Sequence, residues 1–502
     1  MHPRHWASIT PDKPAWIMAG TGEAVSYAEL EQRANRIAHW LRQRGIGKGA
    51  VIAFMSENHP RLYELVWGAQ RAGVHYVLVP ATLVAGELDY LLRDGGSQVL
   101  VVSAKVAERL GPALNALPCP AIRLDEALEA GWAQLPDTPI ADEAPGNDML
   151  YSSGTTGRPK GIKQAFPPAL DTPPRAERIG ARWFGFGQDS VYLSPAPLYH
   201  AAPLRWSLAI HRLGGTVVVM DRFDAEIALA LIERYRVTVA QFVPTHFARL
   251  LALPPATKAR YDLSSLKSVF HAGAPCAMPV KRAMIDWWGP IVHEFYSGTE
   301  GVGITVISCD EWIERPGSVG RAVEGDLRIC GPDDAVLQAE REGAIYFANG
   351  IELTYHNDPA QTAAAHNSHG WVTLGDIGRV DAEGYLYLTD RANFMIISGG
   401  VNIYPQEIEH HLAGHDAVAD VAVMGLPDAE MGEQVTAFVE PQRWPVPDEA
   451  ALSAELDRFA RGALSPVKVP RRYIFRASLE RTDTGKLRKR ALRDEYLETK
   501  RN

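Results

Sequence analysis

The sequence is poor in cysteine, with four in 502 residues, at positions 119, 276, 309 and 330. None forms a CxxC pair, and none stands at a spacing from histidine that would hold zinc. They read as reduced, buried thiols of a cytoplasmic protein. Positive charge is also short. With 51 Lys and Arg against 60 Asp and Glu, the net charge is −9. That balance removes the basic footprint of a general nucleic-acid binder. No apolar run reaches the roughly 18 residues of a membrane span, so no integral membrane association is expected. The opening "MHPRHWASITPDKPAW" has no apolar core and does not read as a signal peptide. Repeats of solenoid period and low-complexity tracts are lacking too.

What is present is an ordinary globular composition, 46% hydrophobic and 22% charged, in a chain too long for one core. "SYAELEQRANRIAHWLRQRG" starts with Ser26 and has Glu29 three residues on, a capping-box pattern ahead of a helix. "AVIAFM", "RLYELVWGAQRAG", "HYVLVP", "GELDYLLRDGG" and "QVLVVS" then alternate strand and helix. This order predicts a parallel sheet with helices on its faces. From "VYLSPAP" through "IVHEFYS" the pattern repeats with short, wholly apolar strands, which predicts a second such sheet. After about residue 315, turn-rich segments such as "GDLRICGPDD", "GAIYFANG" and "GYLYLTD" predict a small β-rich piece. A break is placed in "TDRANF", with a large α/β domain over 1–390 and a small α+β domain over 391–502.

"YSSGTTGRPKG", residues 151–161, offers small hydroxyls, three glycines and Lys160. Glycines let backbone N–H groups turn toward an anion, so the chemistry favours phosphate. It is not a Walker A loop: five positions on from Gly154 and Gly157 stand Pro159 and Ile162 rather than glycine. "GFGQDS" and "GVGITV" fail the dinucleotide pattern GxGxxG, ending in Ser190 and Val306.

The loop has companions. "HAGAP" (271–275), "YSGTEG" (296–301), "GWVTLGD" (370–376), "DRANFMIISGGVNIYPQEIE" (390–409) and "RTDTGKLRKR" (481–490) follow it in order. Together they resemble the motifs of the AMP-forming acyl-CoA synthetases, in the adenylating superfamily that includes carrier-protein adenylation domains and firefly luciferase. The resemblance implies a two-step ligase. A carboxylic acid takes AMP from ATP with loss of pyrophosphate, and the thiol of CoA then displaces AMP.

The same resemblance implies site residues. Ser152, Ser153, Gly154, Thr155, Thr156, Gly157 and Lys160 would hold the β- and γ-phosphates. Gly273, Ala274 and Pro275 would pass the adenine, on which Tyr296 would stack. Thr299 would touch the α-phosphate, and Glu300 would hold Mg²⁺, which accepts one carboxylate plus phosphates and water. Asp376 would accept from the ribose hydroxyls, and Arg391 would approach ribose or phosphate. Lys486 would bridge the acid and the α-phosphate, offsetting the repulsion of two anions. The C-terminal domain would swing about a hinge at Asn393 to present Ser398, Gly399 and Gly400 beside the pantetheine arm. Many relatives carry Lys or Asp at that hinge, and "ANF" departs from them.

His200, Trp206, Phe242, Gly298 and Gly301 are expected to shape the acid pocket, the glycines leaving room for a long or bulky acid. The segment 298–321 resembles fatty-acyl or polycyclic-acid ligases. His410, His411 and His415 read as a solvated helix face rather than a metal site. The "KLRKR" run meets the CoA phosphates or is surface charge. Carrier-protein loading, or a single half-reaction, is the alternative within the class, and a non-catalytic nucleotide binder the alternative outside it. A homodimer is left open.

Overall fold

In the computed structural model, the described residues are 2–152, 159–391, 394–398, 401–428, 431–481 and 487–499. They divide into two compact units. One comprises Met1–Phe242, Ala252–Phe270 and Leu353–Ala364; the other comprises Val243–Leu251, His271–Glu352 and Ala365–Asn502.

The first unit holds two parallel-type sheets, as the strand–helix alternation predicts. One has the strand order Ala121–Leu124, Ser97–Ser103, Val51–Ser56, His75–Pro80, Asn147–Ser152, Lys160–Lys163. Its pairs are parallel except the last. The second runs Val239–Phe242, Val191–Ser194, Thr216–Val219, Pro14–Met18, Ala24–Ser26, antiparallel only at its final pair. Strands Val239–Phe242 and Thr216–Val219 are buried along their whole length, the mark of a sheet covered on both faces. Helix Tyr27–Gln43 carries the capping box at Ser26 and Glu29. An aromatic cluster fills the space beside Ala201–Arg212. Phe184 stacks on Phe270 at 4.2 Å and 9°, and Trp206 meets Phe270 edge-on at 5.4 Å.

The second unit carries an antiparallel run in the order Val292–Tyr296, Ile304–Ile307, Ser318–Glu324, Leu386–Arg391, Val372–Val380, Gly343–Ala348, Asp326–Cys330. The β-rich piece therefore begins earlier than the composition suggests, at "IVHEFYS". The physical reason is connection length. Residues 297–303 are too few for a parallel crossover, which needs about a dozen or more. The remainder is α+β, as expected for the C-terminal part. Strands Val401–Ile403, Ile396–Ser398, Gly432–Pro441 and Val418–Asp428 form one sheet, with Arg472–Phe475 added parallel to Gly432–Pro441. Helices Pro405–Leu412 and Glu449–Arg461 pack on it through Ile408, Leu412, Leu456 and Ala460.

Of the three histidines of the C-terminal part, His410 is exposed, as a solvated face requires, and His411 and His415 differ from it. His411 stacks on Phe459 at 4.4 Å and 12°, and His415 meets the same ring edge-on at 4.8 Å. Helix Glu449–Arg461 lies over this face, which its amphipathic spacing alone could not reveal. In the "KLRKR" run, Lys489 pairs with Glu409 at 2.6 Å and is nearly buried, so that cation is structural.

Candidate active site

Two of the signature loops are connectors between antiparallel strands. Asn147–Ser152 pairs with Lys160–Lys163, Ser152 opposite Lys160, and this brackets the phosphate-type loop. Ser153, Gly154, Thr155, Thr156 and Gly157 lie outside the described residues. The base of the hairpin is braced. Tyr151 donates its phenol to the Asp94 carboxylate at 2.7 Å, and Tyr90 donates to the Pro159 carbonyl at 3.2 Å. Asp148 accepts two hydrogen bonds from Arg205, at 2.8 and 2.9 Å. Arg205 sits on helix Ala201–Arg212, so this pair fixes the loop's first strand to the helix that bears Trp206 and starts just after His200. Such forked charge-assisted bonds fix geometry as well as contributing energy.

"YSGTEG" is the second connector, from Tyr296 at the end of Val292–Tyr296 to Ile304–Ile307. Here the structure joins two residues that stand 80 apart in sequence. The Tyr296 hydroxyl donates to Asp376 Oδ2 at 2.6 Å. Asp376 is 6% exposed on strand Val372–Val380, opposite Arg391 in register. The Tyr296 ring lies near-parallel to Phe347 at 6.4 Å. The ring expected to stack on adenine and the carboxylate expected at ribose are thus one hydrogen-bonded unit.

Gly298 serves close packing rather than open space. A Cβ there would stand 2.6 Å from Glu300 Oε2 and 2.8 Å from Leu374. The room expected for an acid at this glycine is filled by those side chains. Gly273 has φ +88°, a conformation that favours glycine, and it turns "HAGAP" out of strand Ser268–His271. Trp206 and Phe242 are deeply buried, at 4% and 0% exposure, so they belong to the core walls rather than to a surface lining. Ser398 is buried in the short pairing of Ile396–Ser398 with Val401–Ile403. Gly399, Gly400, Asn393 and Lys486 lie outside the described residues, as does the Arg391 side chain.

The donor set bears on magnesium. Among the described residues, no group of three or more His, Cys, Asp or Glu could hold a metal. Glu300, folded back over Gly298, brings a single carboxylate next to Thr299 in the chain. That fits an ion delivered with phosphates and retaining waters, and not a protein cage.

Some contacts escaped sequence reasoning. Lys281 on helix Met278–Trp288 and Glu294 form a buried ion pair at 2.6 Å, with side chains 1% and 9% exposed. His271 Nε2 lies 3.5 Å from the same carboxylate. Burial pushes the Glu294 carboxyl up, against the opposing pull of Lys281. It holds His271 well below its usual range, with Lys281 adding to the effect. A signal was available: Lys281 shares its helix face with the buried Met284 and Ile285, and Glu294 interrupts an apolar strand. Gln361, which accepts from Lys160, carried no such signal.

Comparison with known proteins decides the family. The family model of the AMP-binding enzyme matches residues 3–351, and that of the AMP-binding enzyme C-terminal domain matches 407–486. The chain belongs to the AMP-binding enzyme family. It is an acyl-CoA synthetase of the adenylate-forming superfamily. The chain is 32% identical to the long-chain-fatty-acid–CoA ligase FadD13 of Mycobacterium tuberculosis, over 99% of this chain and 98% of that protein. It is also 32% identical to a feruloyl-CoA synthase of Amycolatopsis sp, over 98% and 97%. Among solved structures, ATP-bound MatB from Rhodopseudomonas palustris matches with a TM-score of 0.84 and 27% identity, over 99% of each chain. No helix among the described residues is long and apolar enough to cross a membrane.

Proposed function

We propose that this acyl-CoA synthetase activates a hydrophobic carboxylic acid, of medium to long chain or bulky, through an acyl-adenylate, and transfers it to CoA. The observation that carries the reading is the Tyr296–Asp376 hydrogen bond, which unites two separate adenosine motifs. A phenol tied to a carboxylate is held flat for stacking, while the second carboxylate oxygen can accept from a ribose hydroxyl.

In the first step, an acid carboxylate oxygen attacks the α-phosphorus of ATP and pyrophosphate leaves. Ser152, Lys160 and the loop between them take the leaving phosphates. Gly273, Ala274 and Pro275 pass the adenine. Thr299 contacts the α-phosphate, and Arg391 approaches ribose or phosphate. Glu300 would hold Mg²⁺, which would supply charge neutralisation on the phosphates. Lys486 offsets the repulsion between the two anions that must meet. Preorganised cations and donors are the main source of rate in such a reaction, because the protein does little covalent chemistry itself. In the second step the CoA thiolate attacks the acyl carbon and AMP leaves. The reading gives the approach to Ser398, Gly399 and Gly400 and the domain movement to a hinge at Asn393, with the mobile part beginning near residue 391.

The acid class is supported by relatives named for a long-chain fatty acid and for a feruloyl group. The test is a panel of acids with ATP and Mg²⁺, with and without CoA, following AMP and acyl-CoA separately. CoA-dependent acyl-CoA formation from an apolar acid is expected. Acyl-CoA made only from supplied acyl-adenylate would refute the two-step reading.

A further inference from the structure

Lys160 stands where the phosphate-type loop rejoins its strand, and its ammonium donates to the Gln361 side-chain carbonyl at 2.6 Å. The same nitrogen lies over the Tyr355 ring, 5.0 Å from its centroid. Both partners come from residues 353–364, a segment of the first unit fastened to this hairpin. Ile162 and Tyr355 form an antiparallel bridge, and the His356 N–H donates to the Gly161 carbonyl at 2.8 Å. Asn357 donates to the Asp94 carbonyl at 3.0 Å. Gln361 is placed in turn by its N–H to the Asp358 carboxylate, 2.9 Å, at the start of helix Pro359–Ala364.

Both of these partners of Lys160 are neutral. A glutamate in place of Gln361 would have the same length and reach, yet it would cancel the charge of the lysine. An amide oxygen and the negative face of an aromatic ring orient an ammonium without neutralising it. We propose that Gln361 is a positioning residue that, with Tyr355, holds Lys160 in a charge-sparing cradle, so that its full positive charge meets the β- and γ-phosphates of ATP. This rests on the reading of Lys160 as a phosphate contact. The neutrality of the cradle is the specific claim, because a merely structural tether would work equally well, or better, as a carboxylate.

The experiment compares Gln361→Glu, Gln361→Met and Lys160→Ala in the full chain, varying MgATP at saturating acid and CoA. Gln361→Glu should raise KM for ATP about three- to tenfold, with kcat changed by much less. The ratio to the unmodified enzyme should shrink as salt rises, because the effect is one of charge. Gln361→Met, which keeps the bulk and loses the acceptor, should raise KM for ATP about threefold with little salt dependence. If the glutamate variant does not fold, the methionine variant still decides, since no rise in it overturns the proposal. A Gln361→Glu enzyme with unchanged or lower KM for ATP, beside an impaired Lys160→Ala, overturns the cradle alone. Lys160→Ala with normal KM for ATP overturns the phosphate role of Lys160 and the cradle with it.

Discussion

Removing either member of the Lys281–Glu294 pair should destabilise the protein, with opposite dependence on pH. The pair is 2.6 Å apart and almost fully buried. In an effective dielectric of about 20, the attraction at that separation is about 6 kcal/mol, much of it offset by the desolvation of both ions. Breaking such a pair costs about 3–5 kcal/mol, because a charge is left buried without its partner. Lys281 also lies over the Trp312 ring at 4.7 Å, and Lys281→Met removes that cation–π attraction as well. For a unit of this size the cost corresponds to about 6–20 °C in the unfolding temperature.

The signs follow from what remains. Lys281→Met leaves Glu294, whose carboxyl burial already pushes up. Its folded form then binds a proton more readily than its unfolded form, so the destabilisation shrinks as pH falls. Glu294→Gln leaves a buried lysine whose charged form is disfavoured. Its unfolded form binds the proton more readily, so the destabilisation shrinks as pH rises. Scanning calorimetry of both variants between about pH 6 and 9 reads the slopes. The double variant Lys281→Met, Glu294→Leu should recover most of the loss, because no buried charge remains. Slopes of the same sign, or single variants within about 1 kcal/mol of the unmodified protein, would refute the reasoning.

Tyr296→Phe removes the donor to Asp376. A hydrogen bond to a charged group contributes about 1.5–3 kcal/mol, so KM for ATP in steady-state assays should rise about tenfold or more, with the fold intact by circular dichroism. Lys486→Ala should abolish acid-dependent pyrophosphate exchange, a loss of roughly 3 kcal/mol or more in the adenylation barrier, while thioester formation from supplied acyl-adenylate persists. Below about pH 6.5 the fold should weaken steadily. Burial pulls His211 and His246 down to about 3, and His75 and His293 down to about 4, with Lys163 adding at His75 and Lys281 at His293. Depressed histidines contribute stability that is fully present above their unfolded pKa and is lost as pH falls through the folded values. The loss is about 1.4 kcal/mol per pH unit for each titrating site. Glu64, pushed up by burial, acts in the opposite sense and softens the slope. Thermal melts across about pH 4–7 that stay flat would contradict this.

The family chemistry and the order of its parts were legible in the residues alone. Local signals sufficed where the physics is local. Ser26 and Glu29 cap their helix through neighbouring backbone N–H groups, and short, mostly apolar strands declare a doubly covered sheet. Whatever depends on residues far apart in the chain needed the fold. Tyr296 meets Asp376 only because a short connector forces an antiparallel pairing and the later strands fold back beside it. The glycine at 298 looked like space for a substrate, and the fold filled it with Glu300 and Leu374. His411 looked solvated until a helix from later in the chain covered it. Lys160 was legible as a cation, but its neutral partner Gln361 was not. A side chain about two hundred positions away leaves no periodicity or spacing behind, and only the folded backbone sets them 2.6 Å apart.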